Sequence, residues 1–80
     1  MTVSEAVVQR IQTLCSERNI TINKISTISG ITQSTISDIV NHVTINPRMN
    51  TIKKLCDGFE ISVRTFFDDE IFDNLEQEVK

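Results

Sequence analysis

The sequence predicts an all-α domain of five short helices that is followed by a short acidic tail. Apolar residues recur at three- and four-residue spacing along most of the chain, which is typical of helices that bury one face. Capping residues and the two glycines divide this pattern into short segments. The many Ile and Thr residues favour strands locally, but the apolar period is helical.

Composition sets the class of protein before any motif is considered. Eighty residues form one domain with a modest core, and a hydrophobic content of 39% is typical of a folded globule. No apolar run approaches the roughly 20 residues of a membrane span, and the N-terminus lacks the pattern of a signal peptide. We therefore expect a cytoplasmic protein that does not contact a membrane.

The first two helices are predicted from their caps. Ser4 can cap a first helix over about residues 4–18, and Thr21 can cap a second helix over about residues 22–29. Helical spacing gives the first helix an inward face that consists of Val7, Ile11, Leu14 and Cys15.

Residues 21–41 are the most informative segment, because they predict two short helices joined by a tight turn at Gly30. Glycine adopts a left-handed conformation without steric cost, so the second helix can end there. Thr32 can then cap a third helix over about residues 33–41. Helices joined in this way form a helix-turn-helix, in which the second of them enters a DNA major groove. The apolar positions around the turn are Ile25, Ile28, Ile36, Ile39 and Val40.

The last two helices and the tail are predicted by the same reasoning. Residues 42–47 form a loop, and a fourth helix runs over about residues 49–57 with Gly58 near its end. Ser62 can cap a short fifth helix over residues 63–67. The inward side chains of the fourth helix are predicted to be Met49, Ile52, Leu55, Cys56 and Phe59. Roughly helical spacing predicts a further turn or two in the tail, at Ile71, Phe72, Leu75 and Val79.

Five blocks of residues follow one another in a recognisable order and spacing. They are Thr21, Gly30-Ile31-Thr32-Gln33-Ser34-Thr35-Ile36-Ser37, Asn46-Pro47-x-Met49, Thr51-Ile52-x-x-Leu55-Cys56 and Ile61-Ser62-Val63-x-x-Phe66-Phe67. Together they resemble the phage-repressor family of helix-turn-helix regulators, also called Cro/cI-like or XRE. The resemblance covers about residues 5–67 and implies a lambda-repressor-like DNA-binding domain over residues 1–67. Segments such as FFDDEIFDNLE are similar to small regulators of low-GC Gram-positive bacteria and their prophages.

Three features depart from the pattern of that family. Members often have Gln at the first position of the second helix, where it supports the base-reading Gln; here Ile22 removes that support, and Asn23 or Lys24 is expected to contact the DNA backbone instead. The usual Ala inside that helix is Ser26. An Arg–Glu pair between the first and third helices is replaced by the apolar residues Cys15 and Val40, an exchange that need not lower stability.

The exposed face of the third helix supplies the candidates for reading bases. Gln33 is the first choice, because its amide can pair with adenine N6 and N7 in the major groove. Ser34 can reach a base or a phosphate, and Ser37 lies on the flank of this face. Asp38 can accept a hydrogen bond from cytosine N4 or repel phosphate, and a solvated or lysine-paired Asp38 is the alternative.

Neighbouring residues are candidates for contacts with the sugar-phosphate backbone, which set register and salt dependence rather than sequence. At the start of the fourth helix, Arg48 and Asn50 can act together with the free N–H groups of the helix terminus. Lys53 and Lys54 are predicted to lie on a solvated face instead. The other candidates for backbone contacts are Thr32, Thr35, Lys24, Asn23 and Asn41.

Charge divides the chain into two segments. Residues 1–67 contain seven basic and five acidic side chains, a balance of +2, whereas residues 68–80 contain one Lys and six acidic side chains, a balance of −5. Such a body can bind double-stranded DNA if the tail points away from the phosphates. Because its electrostatic attraction to DNA is small, affinity is expected to depend on dimerisation and base contacts. The acidic tail over residues 68–80 is a candidate dimerisation segment or a site for a protein partner.

The C-terminal third has more apolar side chains than five short helices can bury, which indicates a partner surface. We predict a homodimer that binds an inverted-repeat operator, with recognition helices about one DNA turn, roughly 34 Å, apart. The alternative is that the phenylalanines close the core of the monomer. The predicted dimer interface consists of Phe66, Phe67, Ile71, Phe72 and Leu75.

Neither an enzyme nor a metal or cofactor site is expected. Cys15 and Cys56 lie on apolar faces without CxxC spacing, which favours buried reduced thiols over a disulfide or redox switch. His42 has no nearby cluster of metal ligands, so it is a polar loop residue or a phosphate contact. The chain has neither a nucleotide-binding loop nor a catalytic spacing of Ser, His and Asp.

The predicted function is that of a sequence-specific transcriptional regulator, most simply a repressor that occupies an operator overlapping a promoter. A restriction–modification controller protein of the same fold is an alternative within this class. An alternative from another class is an antitoxin or anti-regulator whose acidic tail binds a protein.

Overall fold

The computed structural model describes residues 1–42 and 46–79. These residues form five α-helices and one 3-10 turn, and none of them lies in a strand. The elements are α1 (Val3–Arg18), α2 (Ile22–Ser29), α3 (Gln33–Val40), α4 (Met49–Phe59), α5 (Val63–Phe66) and the 3-10 turn Glu70–Phe72. The prediction of an all-α, five-helix domain is confirmed, while residues 43–45 of the predicted loop and residue 80 of the tail lie outside the described residues. No described helix is both long and apolar enough to cross a bilayer.

Three helices begin at the residues that the sequence predicts as caps. Thr21 Oγ1 accepts a hydrogen bond from the Lys24 backbone N–H at 3.0 Å, and Thr32 and Ser62 cap α3 and α5 in the same way. Each of these bonds satisfies one N–H that the first turn of a helix leaves without a partner. At the other end of α2, Gly30 has φ 70°, the left-handed conformation that commonly ends an α-helix.

The prediction that Ser4 caps α1 is wrong, because the cap is Thr2. Thr2 Oγ1 accepts from the Glu5 backbone N–H at 3.2 Å, and Glu5 Oε1 accepts from the Thr2 backbone N–H at 2.8 Å. This reciprocal pair is a capping box, which needs Glu or Gln three residues after the cap. Ser4 has Val7 at that position, so it cannot form one.

Helix α4 continues past its predicted end at residue 57 to Phe59, and Glu60 takes the left-handed conformation at φ 59°. Gly58 therefore lies inside the helix and serves helix packing rather than helix termination. A Cβ atom added to Gly58 would lie 2.1 Å from Ser29 Oγ and 3.2 Å from Ile25 Cδ1. The missing side chain lets α4 pack closely against α2, which holds the helix-turn-helix on the core.

The core contains apolar side chains from all five helices, but two residues predicted to face it do not. Ile28 is 51% exposed, because α2 turns the arc of Ile25, Ser26 and half-buried Ser29 toward α4. Met49 is 58% exposed, because the first turn of α4 projects beyond the core. The buried apolar residues include Val7, Ile11, Leu14, Cys15, Ile25, Ile31, Ile36, Ile39, Ile52, Leu55, Cys56, Phe59 and Phe66.

The C-terminal segment is fastened to α1 by a buried arginine. Arg10 Nε donates to the Phe66 carbonyl at 2.7 Å and Nη2 donates to the Thr65 carbonyl at 2.8 Å. Its Nη1 also pairs with Asp69 Oδ2 at 3.3 Å. These contacts satisfy two backbone carbonyls at the end of α5 and place one acidic residue of the tail against the body.

The tail forms one 3-10 turn, and the predicted helical turns beyond Phe72 are absent from its described residues. Phe72 packs against Phe67 with ring centroids 4.9 Å apart, in the edge-on arrangement that aromatic pairs prefer. Further on, Glu76 donates its backbone N–H to the Met1 carbonyl at 3.1 Å. Val79 is 86% exposed, so the apolar spacing does not continue as a buried helix face.

Candidate nucleic-acid interface

Helix α3 presents a polar face to solvent and an apolar face to the core. Ile36 and Ile39 are buried, and Val40 packs against the same core. The exposed face is made of short or flexible polar side chains that can approach another molecule closely. These exposed residues are Gln33, Ser34, Thr35, Ser37 and Asp38, the set that the sequence places on the outer face.

Gln33 is attached to α2 by a side-chain hydrogen bond that the sequence analysis did not anticipate. Its Nε2 donates to Ser26 Oγ at 2.8 Å, and Ser26 Oγ in turn donates to the Asn23 carbonyl at 2.9 Å. Ile22 offers no polar group, as expected, but Ser26 supplies support from one turn further along α2. The signal in the sequence was a hydroxyl residue at the position where the family usually has Ala.

Other polar side chains of this region are paired with one another. Thr32 Oγ1 donates to Thr35 Oγ1 at 2.9 Å at the start of α3, and Asn41 Nδ2 donates to Ser37 Oγ at 3.1 Å at its end. Such bonds restrict the rotamers of exposed side chains and lower the entropy that a ligand must remove.

A polar cleft of about 320 Å³ lies between the start of α3 and the start of α4. Two cationic side chains, Arg48 and Lys54, line it. Arg48 forms no side-chain cap, so the first turn of α4 lacks the capping oxygen that α2, α3 and α5 have, although the Thr51 N–H bonds to the Arg48 carbonyl at 3.0 Å. Cations and unpaired helix N–H groups together attract anions, and phosphate is such an anion. The other residues that line the cleft are Gly30, Ile31, Thr32, Thr35, Asn50 and Thr51.

The two neighbouring lysines of α4 lie in different surroundings. Lys53 forms an ion pair with Asp57 one turn further on, and this hydrogen bond raises the pKa of the exposed Lys53 ammonium. Lys54 lines the cleft instead. The sequence analysis placed both on a solvated face, and both are exposed. The position of Lys54 at the cleft depends on how α4 packs beside α3, which helical spacing alone does not show.

The remaining candidates are spread around the helix-turn-helix. Asn23, Lys24 and Asn41 are exposed but lie outside the cleft. His42 is exposed with φ 61°, and it lines a shallow cavity of about 330 Å³ beside α1, together with Met1 and Glu5. The structure therefore groups Thr32, Thr35, Arg48 and Asn50 around one cleft and places the other candidates outside it.

The residues predicted for a dimer interface differ in exposure. Phe66 is fully buried, so the alternative in which a phenylalanine closes the monomer core holds for this residue. The other four, Phe67, Ile71, Phe72 and Leu75, are half-buried.

The thiols of Cys15 and Cys56 are free and buried, and burial raises the pKa of both. A raised pKa lowers the thiolate fraction and therefore the reactivity of both thiols.

Comparison with known proteins agrees with this geometry. Residues 10–70 match a family model described as the Cro/C1-type HTH DNA-binding domain. The chain belongs to the Cro/C1-type helix-turn-helix family. The chain is also similar to prophage Lp1 protein 11, whose crystal structure superposes with a TM-score of 0.83 at 32% sequence identity. The match covers 94% of this chain and 99% of that one. The sequence matches no curated protein.

Membership of the Cro/C1-type family identifies the role of the domain that contains α3. The chain carries a helix-turn-helix DNA-binding domain, in which α2 and α3 are the two helices of the motif. Sequence reasoning missed how two residues lie relative to α3, namely the bond of Ser26 to Gln33 and the position of Lys54 at the cleft. Both depend on packing between helices, which is not visible in the spacing of a single helix.

Proposed function

We propose that the protein is a repressor that binds double-stranded DNA as a homodimer and occupies an inverted-repeat operator. The observation that carries this proposal is that the exposed Gln33 directly follows Thr32, a residue that lines the cationic cleft. The start of α3 thus brings a side chain suited to read a base next to groups suited to hold phosphates. The likeness to a prophage protein supports a regulator of the kind encoded by prophages.

Base reading is assigned to the exposed face of α3. Gln33 pairs with adenine through its amide oxygen and its remaining N–H. Ser34 and Ser37 contact neighbouring base edges or phosphates. Asp38 accepts from cytosine N4 and disfavours sequences that place a phosphate or an acceptor near its carboxylate.

Phosphate binding is assigned to the cleft and its margins. Arg48 and Lys54 neutralise a phosphate, while Thr35 and Asn50 donate hydrogen bonds near it. Thr32, which donates its hydroxyl proton to Thr35 Oγ1, holds the Thr35 hydroxyl in place. Exposed groups outside the cleft contact the same strand or its partner, and these are Asn23, Lys24 and Asn41. Because few cations are involved, the salt dependence of binding is expected to be shallow for a DNA-binding protein.

Dimerisation is assigned to the apolar side chains that the monomer leaves half-buried. They are Phe67, Ile71, Phe72 and Leu75, which lie at the C-cap of α5, in the 3-10 turn and in the tail. A two-fold contact between copies would hide this apolar surface and hold two α3 helices for successive major grooves.

The experiment is selection from randomised duplex DNA, followed by sequencing, at two salt concentrations. The parent is expected to enrich an inverted repeat whose half-sites are about one helical turn apart. Gln33→Ala should lose about 1–3 kcal/mol on the enriched site and relax the preference at one base pair of each half-site. Gln12→Ala is the matched control, because Gln12 is an exposed glutamine on α1 that lies away from the cleft.

Two results would contradict the proposal. Weak binding without sequence preference would remove the operator function, and it would favour the alternative of a protein-interaction module. Enrichment of single half-sites by a protein that sediments as a monomer on DNA would retain sequence reading but remove the homodimer.

A further inference from the structure

Ser26 is fully buried in α2, yet its hydroxyl contacts a side chain on the exposed face of α3. The hydroxyl takes part in two hydrogen bonds. Ser26 Oγ lies 2.9 Å from the Asn23 carbonyl oxygen and 2.8 Å from Gln33 Nε2. A buried hydroxyl that is fully bonded in this way has a defined orientation, unlike an exposed one.

The two bonds together determine which end of the Gln33 amide points outward. A hydroxyl has one proton, and the Asn23 carbonyl can only accept, so the proton of Ser26 is directed to that carbonyl. Toward Gln33, Ser26 Oγ can therefore only accept. The amide must present Nε2 to Ser26, because Oε1 in that place would oppose two acceptors without a proton between them.

The outward groups of Gln33 are then one acceptor and one donor. These are Oε1 and the second N–H of Nε2, since the first N–H is bonded to Ser26. In the major groove, adenine presents a donor at N6 and an acceptor at N7, whereas guanine presents acceptors at both O6 and N7. The fixed amide complements adenine with two bonds and guanine with one.

We propose that Ser26 is a positioning residue that makes Gln33 prefer adenine over guanine. This inference rests on the proposed function, because it concerns the base that the α3 surface reads. Without the hydroxyl, the amide rotates freely and can present both N–H groups to guanine. The discrimination between the two purines then decreases, while contacts to phosphate are unchanged.

The experiment compares the parent and its variants on pairs of duplexes that differ only by adenine or guanine at one position. That position is the one where Gln33→Ala relaxes the preference of the parent. Ser26→Ala is expected to reduce the ratio of adenine to guanine affinity about three- to tenfold, the usual worth of one hydrogen bond. Ser26→Ala in a Gln33→Ala background should not change the ratio further.

Thr27→Ala is the matched control. The Thr27 hydroxyl also donates to the Asn23 carbonyl, at 3.0 Å, but Thr27 is exposed and its hydroxyl is not bonded to Gln33. Its removal should leave the purine ratio at the parental value. Ser26→Cys provides a second test, because a thiol has the shape of the hydroxyl, although it is larger, and is a weak acceptor. It should lower the ratio in the same direction as Ser26→Ala.

The possible failures are distinguishable. If the parent selects no sequence, the proposed function fails, and the role of Ser26 in base reading fails with it. If the parent prefers adenine and folded Ser26→Ala and Ser26→Cys retain the parental ratio, the role of Ser26 alone is overturned. An equal loss of affinity for both duplexes would assign Ser26 a structural role and would also overturn the inference.

Discussion

The helix-turn-helix, residues 21–41, and the C-terminal segment, residues 66–79, are held in place by contacts of different range. In the first region, caps reach three residues along the chain and the bond from Gln33 to Ser26 spans seven. In the second, the main attachment is Arg10, which bonds to groups 55 to 59 residues away. Short-range contacts therefore hold α2 and α3 of the motif together, whereas distant contacts hold the segment that we propose for a second copy.

Replacement of Arg10 should have the largest effect on stability, because Arg10 attaches the C-terminal segment to α1. Arg10→Met keeps an apolar stem but leaves the Phe66 and Thr65 carbonyls and Asp69 without their partner. Loss of one member of a buried ion pair costs about 3–5 kcal/mol, and the partial exposure of Asp69 lowers our expectation to about 2–4 kcal/mol. The free energy of unfolding in urea measures this loss.

Arg18→Met is the control on the same helix. Its guanidinium lies 5.3 Å from the ring centroid of Phe59, a contact worth about 0.5–1 kcal/mol at an exposed site. Equal losses for the two variants would show that the buried attachment of the C-terminal segment has no special weight.

Replacement of Gly58 tests the packing beneath the helix-turn-helix. In Gly58→Ala, the overlap of the new Cβ with Ser29 should cost about 1–3 kcal/mol, and the higher helix propensity of Ala should offset about 1 kcal/mol of it. We expect a net loss of about 1 kcal/mol in thermal unfolding.

Ser29→Ala supplies the compensating change. The buried Ser29 hydroxyl has no hydrogen-bond partner among the described residues, so its removal alone should cost little. In the double variant, the closest contact of the Gly58→Ala Cβ becomes 3.2 Å, and most of the lost stability should return. Additive losses in the double variant would exclude this overlap as the cause.

The neighbouring lysines of α4 test the DNA-binding surface itself. Lys54→Ala should weaken DNA binding about equally for all sequences and reduce the salt slope by about 1, because one phosphate contact is lost. Lys53→Ala should change neither quantity, since Lys53 is paired with Asp57. Binding isotherms at several salt concentrations measure both effects, and a larger effect of Lys53→Ala would move the phosphate contact away from the cleft.

The smallest effect is expected at the start of α1. The hydrogen bond from the Thr2 backbone N–H lowers the pKa of Glu5 below its ordinary value. A lowered pKa contributes stability above the unfolded-state pKa of about 4.3, and this contribution is lost as the pH falls through the folded-state pKa. Glu5→Gln keeps a capping box but does not titrate, so its melting temperature should fall less than that of the parent on acidification. If the melting temperatures of the parent and of Glu5→Gln fall in parallel as the pH is lowered, Glu5 does not contribute to the loss of stability in acid.

The sequence predicted those parts of the fold that depend on neighbouring residues. Thr21, Thr32, Ser62 and Gly30 were identified as caps and turn because their signals lie within one helical turn. The exposed face of α3 followed from the same periodicity. The bounds of α2 and the start of α3 could therefore be stated before any coordinates were known.

The contacts that sequence reasoning missed join different helices or segments. Arg10 entered the sequence analysis only as one positive charge, because nothing near it in the sequence indicates a partner in the tail. Gly58 was taken to mark the end of α4. Its role in packing was missed because its close neighbour, Ser29, belongs to another helix. Ser26 and Lys54 acquire their roles from α3 in the same way, so the candidate site was predicted in outline but not in its supporting contacts.

The most direct test of the division between the two regions is isotope-filtered NMR of the protein bound to its selected duplex. Intermolecular NOEs report which side chains lie within a few ångströms of DNA protons. We predict NOEs from base and sugar protons to Gln33, Ser34 and Thr35, and none to Ile71 or Leu75. NOEs between DNA and the C-terminal segment, with none to α3, would contradict the assignment of DNA recognition to the helix-turn-helix.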